Sequence, residues 1–250
     1  MRRTAPALLG FAVWLGLLTI ADAHHVGVFI PKDDDITKNF KDIKFAGQAG
    51  RFDVALKLFD DGIVHATMEK FETELPRGLE DGLRAALKAK NLPGVELRLA
   101  IFLAFMTRDR IRSAAAKVRE ESLEPEQRRD HARKLVNAAW RYYNLADFVI
   151  SRQDPKAAVA LRVAFEDAQT YLGGMMVDPM WAPGSNPCNP RPSGAAEPSG
   201  GVQQTPKRPG PDDGKAVAAL GLMGRTLGDV IRAGARAAWA GEAKEFLPKR

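Results

Sequence analysis

The sequence offers little thiol or imidazole chemistry. One cysteine among 250 residues excludes an intramolecular disulfide framework, a cysteine-rich zinc module and an iron–sulfur cluster. Four histidines leave little material for a histidine-rich metalloenzyme. The chain also lacks a Gly-x-Ser-x-Gly nucleophile elbow, a phosphate-binding loop and a Cys-x-x-Cys-His haem-attachment motif. These absences favour a binding or structural role over catalysis.

The composition is that of a folded protein. Apolar residues make up 45% of the chain, which is enough to bury a core in one or two domains. Charged residues make up 27%, with 37 Lys+Arg against 31 Asp+Glu, so the net charge is +6. Because both signs of charge are well represented, the composition argues against a disordered chain. No apolar run is long enough for a protein with several membrane spans.

The N-terminus carries the most specific pattern in the sequence. Two arginines precede 18 uncharged residues, Thr4 to Ala21, and Ala21-Asp22-Ala23 provides the small–x–small pattern that signal peptidase cleaves. We therefore expect residues 1–23 to be a signal peptide removed after Ala23, which makes the protein periplasmic or secreted. The alternative is an uncleaved N-terminal membrane anchor, since 18 uncharged residues come close to the about 20 apolar residues that a membrane span needs.

Helical periodicity dominates the chain that follows. Residues 24–40 contain Pro31 and three consecutive aspartates, and we expect them to form an extended lead-in. Residues 41–172 form the predicted helical domain, because their apolar residues recur at spacings of three and four. Val95–Met106 is apolar on nearly every side, which is typical of a central, buried helix. The sequence predicts an all-α fold, either a multi-helix bundle or a helical-hairpin array, with five to seven helices.

Two apolar stripes within this domain predict which faces are buried. The first is expected to end or kink at Asp60-Asp61-Gly62, and it comprises Phe45, Ala49, Phe52, Leu56, Phe59 and Ile63. The second lies on the helix that follows Asp154-Pro155, and it comprises Val159, Val163, Ala164, Ala168 and Leu172.

Residues 173–214 differ in character from the rest of the chain. They hold nine of the 16 prolines and eight of the 22 glycines, and they show no periodicity, so we expect a Pro/Gly-rich linker. Residues 215–250 then form an amphipathic helix that we expect to pack on the bundle. Its apolar stripe comprises Ala216, Leu220, Met223, Leu227, Ile231 and Ala238. Beside it, close approach of a neighbouring helix is expected at Gly221, Gly224 and Gly228.

One stretch resembles half of a tetratricopeptide repeat. It reads Gly50-Arg51-Phe52-Asp53, then Ala55-Leu56, Leu58-Phe59 and Gly62-Ile63, and the similarity covers about 15 residues. In that family such residues pack one helix of a hairpin against its neighbour. No 34-residue period recurs along the chain, so the resemblance implies helical hairpins with a peptide-binding groove and gives no family assignment.

Two groups of residues suggest copper as a cofactor. Cleavage after Ala23 would expose the α-amine and imidazole of His24 beside His25, and nitrogen ligands of this kind chelate copper. The alternative is that polar residues simply follow the cleavage site. Thioethers and a thiol, which favour Cu(I), are provided in the linker by Met175, Met176, Met180 and Cys188. Adaptable apolar packing is the competing explanation for these methionines.

A third candidate metal site has ordinary helical spacing. His65, Glu69 and Glu72 lie within two turns of one predicted helix, and such a spacing can hold a metal ion. The competing interpretation is a solvated polar flank, since no Glu-x-x-His pair occurs on another helix to complete a di-iron site.

The basic residues form a local concentration around one helical connection. It comprises Arg108, Arg110, Arg112, Lys117, Arg119, Arg128, Arg129, Arg133 and Lys134. Such a cluster fits contact with an acidic partner or an anionic membrane surface, whereas interleaved carboxylates are also typical of an ordinary soluble surface. An exported protein has little access to nucleic acid, so no nucleic-acid partner is expected.

These patterns together favour an exported, non-catalytic helical protein that acts as an accessory or scaffold subunit and docks a protein partner. The aromatic residues proposed as anchors for that partner are Trp140, Tyr142, Tyr143 and Trp181. The alternative function is periplasmic copper binding or handling through the processed N-terminal histidine. An enzyme using His65, Glu69 and Glu72 is the third possibility.

Overall fold

The computed structural model describes residues 33–173 and 210–245, and within them the chain forms eight α-helices and no strand. The all-α class is thereby confirmed, and the described residues hold more helices than the five to seven expected. All of them lie within the compact unit Pro31–Arg250. The helices are α1 (Asp35–Gln48), α2 (Phe52–Asp60), α3 (Ile63–Lys70), α4 (Leu79–Lys88), α5 (Leu92–Val118), α6 (Pro125–Gln153), α7 (Pro155–Tyr171) and α8 (Asp213–Glu245).

Helix α5 lies at the centre of the described helices. It begins where the Asn91 side chain accepts a hydrogen bond from the Gly94 N–H at 3.0 Å. Every residue from Leu99 to Thr107 is buried. Helices α6 and α8 pack along α5, and α1 and α4 also contact it. A helix that is apolar on all sides needs neighbours on all sides, so the prediction for Val95–Met106 is confirmed.

Three short helices, α1 to α3, come first in the described part of the chain and are followed by α4 and the central helix α5. The chain turns at Gly50, whose φ of 73° suits glycine, and α2 ends at Asp60 as the phase change predicted. The prediction of one continuous buried stripe from Phe45 to Ile63 is wrong, because each break rotates the following helix. Phe45 and Ile63 are 58% and 42% exposed, whereas Phe59 between them is fully buried.

Helix α1 begins inside the stretch 24–40 that was expected to be extended. The Asp34 carboxylate accepts hydrogen bonds from the Thr37 N–H at 2.8 Å and from the Tyr142 hydroxyl of α6 at 2.6 Å. Burial raises the pKa of Asp34, but these hydrogen bonds outweigh it and hold the pKa below its usual value. Asp34 is therefore a charged N-cap that starts the helix and ties it to α6. Residues 24–32 lie outside the described residues.

Helices α7 and α8 pack against each other although a long segment separates them in sequence. The predicted linker lies outside the described residues from 174 to 209, but its two ends meet. The Asp212 N–H donates a hydrogen bond to the Tyr171 carbonyl at 2.9 Å, and a Cβ at Gly173 would lie 3.0 Å from Pro211 Cγ. The segment therefore leaves the described helices and returns to them at the same place.

The apolar stripes of these two helices had different outcomes. Every predicted stripe residue of α8 is at most 6% exposed, from Ala216 to Ala238, so that stripe is confirmed. In α7, Ala164, Ala168 and Leu172 are buried as predicted, but Val159 and Val163 are 58% and 51% exposed. The core face of α7 instead includes Leu161 and Phe165, because the valines follow the same spacing on a neighbouring face.

Candidate anion-binding cleft

A cleft of about 620 Å³ lies between the C-terminal half of α5 and helix α8. We call it the arginine cleft. Among the described residues, five arginines line it, together with a single carboxylate, that of Asp229. The arginines are Arg108 and Arg112 of α5, Arg119 at the C-terminal cap of α5, and Arg225 and Arg232 of α8. Three glycines of α8, Gly221, Gly224 and Gly228, complete its wall.

The packing of α8 against α5 brings the two sets of arginines together. The helices run antiparallel, because Arg98 donates a hydrogen bond to the Ala238 carbonyl while Leu220 lines the same cleft as Arg119. Beyond Thr107, the continuous burial of α5 ends, and Arg108 and Arg112 occupy the face next to α8. Side chains four residues apart share a helix face, which aligns Arg108 and Arg112.

The glycines of α8 leave the cleft open rather than closing it. Among the described residues, a Cβ at Gly224 would meet nothing within 4 Å, and at Gly221 and Gly228 it would meet only an arginine Nη1 of the same helix at 3.4 Å. The prediction that these glycines permit close helix approach is therefore wrong. The close approach occurs at Gly234, where a Cβ would lie 3.0 Å from Ile101 Cγ1.

The charge of the cleft is only partly neutralised within the described part of the chain. Asp229 forms an ion pair with Arg232, its neighbour on α8. No carboxylate within residues 33–173 and 210–245 forms an ion pair with Arg112, Arg119 or Arg225. Burial lowers the pKa of Arg108, and the positive charges of Arg112 and Arg232 lower it further. The cleft therefore has a concentrated positive potential.

Outside the arginine cleft, most basic residues of the concentration between Arg108 and Lys134 have acidic partners. Lys117 pairs with Glu120 at 2.7 Å, and Lys134 pairs with Asp130 at 2.8 Å. Arg129 pairs with Asp213 at 3.2 Å. For these residues the interpretation as an ordinary mixed-charge surface suffices. The arginine cleft differs because its positive charges face each other across two helices.

Sequence reasoning singled out the α5 arginines but not Arg225 or Arg232. The two lie seven residues apart on α8, a spacing that places both on one face. That spacing, together with the neighbouring glycines, was the available signal. Chemically, a row of guanidinium groups can bind carboxylates, phosphates or sulfates.

The structure places His65 in a polar network that joins three helices. Its Nε2 lies 3.1 Å from Glu80 Oε1 and 3.1 Å from an Nη of Arg84, and its Nδ1 lies 3.1 Å from the Asp60 carbonyl. Glu69 is the next carboxylate, at 3.7 Å. Arg84 also binds Asp60 and Glu80, and its pKa is raised by the hydrogen bond to Asp60.

This network bears on the third predicted metal site. The structure brings Glu69 near His65, whereas Glu72 meets Glu69 through a backbone hydrogen bond from its N–H to the Glu69 carbonyl at 3.2 Å. The Arg84 guanidinium lies against His65. No group of three potential ligands that could hold a metal ion occurs among the described residues. The proposed copper ligands His24, His25, Met175, Met176, Met180 and Cys188 all lie outside those residues.

Two of the aromatic anchors proposed for a partner are core residues. Tyr142 and Tyr143 are 2% and 0% exposed, and Trp140 is half-buried, with its ring 5.0 Å from that of Phe165. Tyr143 donates a hydrogen bond to Asp147 at 2.5 Å, and burial together with that contact raises its pKa. The structure thus contradicts a docking role for the two tyrosines. Trp181 lies outside the described residues.

In the part of the chain that the structure describes, no helix has the length and apolarity needed to cross a membrane. No protein-family model, no curated protein and no solved structure matches this chain significantly.

Proposed function

We propose that this chain is an exported, non-catalytic binding protein whose arginine cleft docks an acidic segment of a protein partner. The observation that carries the proposal is the row of five arginines that line one cleft with one carboxylate in the part of the chain that the structure describes. Export is supported by the N-terminal pattern of residues 1–23. An accessory or scaffold role fits a protein whose charged cleft is an open surface between helices.

The charges of the cleft favour an anionic partner. Holding guanidinium groups close together costs free energy, because like charges repel and burial removes water from them. Both the loss of water and the repulsion act on Arg108, since burial and the charges of Arg112 and Arg232 lower its pKa. Carboxylates entering the cleft would relieve this repulsion and form charge-assisted hydrogen bonds.

The shape of the cleft favours a polypeptide segment over a flat membrane surface. Arg108 and Arg119 are separated by 11 residues on α5, which corresponds to about 16 Å along the helix axis. An extended peptide rises about 3.3 Å per residue, so the cleft matches about five residues of an acidic segment. The glycines of α8 leave room for the backbone of such a segment.

The experiment that tests this proposal uses a fluorescent glutamate homopeptide as the acidic segment. Its affinity for the purified protein is measured by fluorescence anisotropy, and again for the double variant Arg112→Glu/Arg225→Glu. Both residues are exposed, so the substitutions do not disturb the core. We expect saturable binding to the wild type, weakened by salt, and at least about tenfold weaker binding to the variant.

A matched control separates the cleft from overall charge. The double variant Arg51→Glu/Lys156→Glu changes the net charge equally at two exposed positions outside the cleft. It should bind nearly as tightly as the wild type. Equal losses in both double variants would mean that peptide binding depends on net charge alone, which contradicts the proposal.

The Pro/Gly-rich segment is proposed as a second part of the docking surface. The meeting of its ends at Tyr171 and Asp212 supports an excursion that can be removed without pulling the helices apart. Deletion of residues 175–211 should leave the helical circular dichroism intact while abolishing co-purification with the partner. Retained co-purification would limit docking to the helices.

A further inference from the structure

Arg108 lies where the arginine cleft meets a second cavity. This side cavity, of about 580 Å³, is lined by Arg77, Arg108, Arg232 and Arg236 with Glu74 as its carboxylate. Arg108 and Arg232 line both spaces. The junction of the two cavities therefore brings guanidinium groups from three directions: the loop before α4, helix α5 and helix α8.

Packing determines the position of the Arg108 side chain. Its guanidinium carbon lies 5.3 Å from the centroid of the Phe105 ring, and a cation over an aromatic face is held in a preferred orientation. Its Nε is buried and has no hydrogen-bond partner within the described residues. The charge of this half-buried group is thus left without a hydrogen-bonded carboxylate from the same part of the chain.

The carboxylates near Arg108 do not balance the local positive charge. Asp229 is paired with Arg232, and Asp109 lies 3.8 Å from Arg110. Glu74 attracts Arg108 electrostatically but forms no ion pair in the part of the chain described. Among the described residues, the linings of the two cavities together hold seven arginines against the two carboxylates Glu74 and Asp229. The arginines are Arg77, Arg108, Arg112, Arg119, Arg225, Arg232 and Arg236.

We infer that this junction is a binding site for a phosphate group, held by Arg108, Arg112 and Arg232. A carboxylate carries one charge and matches a single guanidinium fork. A phosphate carries a charge of about −1.5 to −2 and has three acceptor oxygens, so it can accept hydrogen bonds from guanidiniums on two helices at once. The inference rests on the proposed function, because the same cleft then extends from this anchor toward Arg119.

The experiment titrates inorganic phosphate into the purified protein by isothermal titration calorimetry. Wild type should bind phosphate saturably, and Arg108→Gln should weaken binding at least about tenfold, since hydrogen bonds to charged groups contribute strongly. Arg51→Gln is the matched control. Arg51 is exposed and lines neither cavity, so its loss should leave phosphate binding within about twofold of wild type.

A second variant guards against loss of folding. Arg108 is half-buried, so Arg112→Gln/Arg232→Gln, at two exposed positions, is tested beside it, with circular dichroism on each protein. If Arg108→Gln unfolds, the double variant decides. Absence of saturable phosphate binding to the wild type would overturn the inference. Wild-type affinity for phosphate in folded Arg108→Gln or in folded Arg112→Gln/Arg232→Gln would also overturn it.

Vesicles identify the source of the phosphate group. Sedimentation with phosphatidic acid–phosphatidylcholine vesicles, lost in Arg108→Gln and displaced by inorganic phosphate, would assign the site to a lipid headgroup. Phosphate binding without vesicle binding would assign it to soluble phosphate. Binding of the glutamate homopeptide without phosphate binding would overturn this inference and leave the proposed function. Phosphate binding without peptide binding would support the phosphate site and contradict the proposed docking of an acidic segment.

Discussion

The register of α8 against α5 can be tested by substituting two glycines of the same helix with alanine. At Gly224 the new methyl group would meet no described residue within 4 Å, because Gly224 lines the open cleft. At Gly234 it would lie 3.0 Å from Ile101 Cγ1 and 3.3 Å from Ile101 Cδ1. Ile101 is 3% exposed within the buried stretch of α5, so its side chain has little freedom to move away.

The two substitutions should change the free energy of unfolding differently. Alanine in place of an interior helical glycine stabilises by about 1 kcal/mol, and at Gly224 nothing opposes that gain. At Gly234 the same gain is opposed by overpacking, which costs about 1–3 kcal/mol. Gly224→Ala should therefore unfold at a temperature about 2–4 °C above the wild type, and Gly234→Ala at or below it.

Thermal and urea denaturation followed by circular dichroism measure both variants under the same conditions. The pair is its own control, because the substitution and the helix are the same and only the surroundings differ. If Gly234→Ala proved as stabilising as Gly224→Ala, the packing of α8 on Ile101 described above would be incorrect. Destabilisation by Gly224→Ala would refute the open cleft.

Three further predictions concern the α1 cap, the face of α7 and copper. Tyr142→Phe should cost about 1 kcal/mol at neutral pH in urea denaturation. Burial raises the pKa of Asp34, but the hydrogen bonds from Tyr142 and Thr37 lower it by more, so the pKa is below 3.8 in the folded state. The stability lost in Tyr142→Phe should therefore be measurable above pH 3.8 and vanish as the pH falls through the lowered pKa, because the protonated carboxyl no longer stabilises the fold. Leu161→Ala should cost about 2–5 kcal/mol and Val159→Ala under about 0.5, because Leu161 is buried and Val159 exposed; equal costs would contradict the assigned face. The copper hypothesis predicts that one residue added ahead of His24 abolishes tight copper binding measured by competition with a chelator, since the terminal ligand amine is lost.

The sequence predicted those parts of the fold in which the apolar pattern is dense or long. Val95–Met106 has few polar residues, so its burial does not depend on the choice of helix face. The stripe from Ala216 to Ala238 extends over six turns, and a long stripe tolerates small errors of phase. In α7 the stripe is short, and two exposed valines fitted the helical period as well as the true core residue Leu161 did.

The candidate site was less accessible from sequence, because its two walls are distant along the chain. Arg112 and Arg225 are separated by 113 residues, and only the packing of α8 on α5 makes them line one cleft. The role of Gly224 was mistaken for the same reason. A glycine row is typical of close helix contact, and which side of α8 faced α5 was not contained in the local pattern.

The most direct test of the arginine cleft is to observe its glycine amides while an acidic segment binds. In a ¹H–¹⁵N correlation spectrum, glycine amides occupy their own region, so Gly221 and Gly224 can be followed during titration with the glutamate homopeptide. Gly50 and Gly62, at turns outside the cleft, serve as references. The proposal predicts saturable shifts at Gly221 and Gly224 with the references unchanged. Shifts confined to Gly50 and Gly62, or none at any concentration, would contradict it.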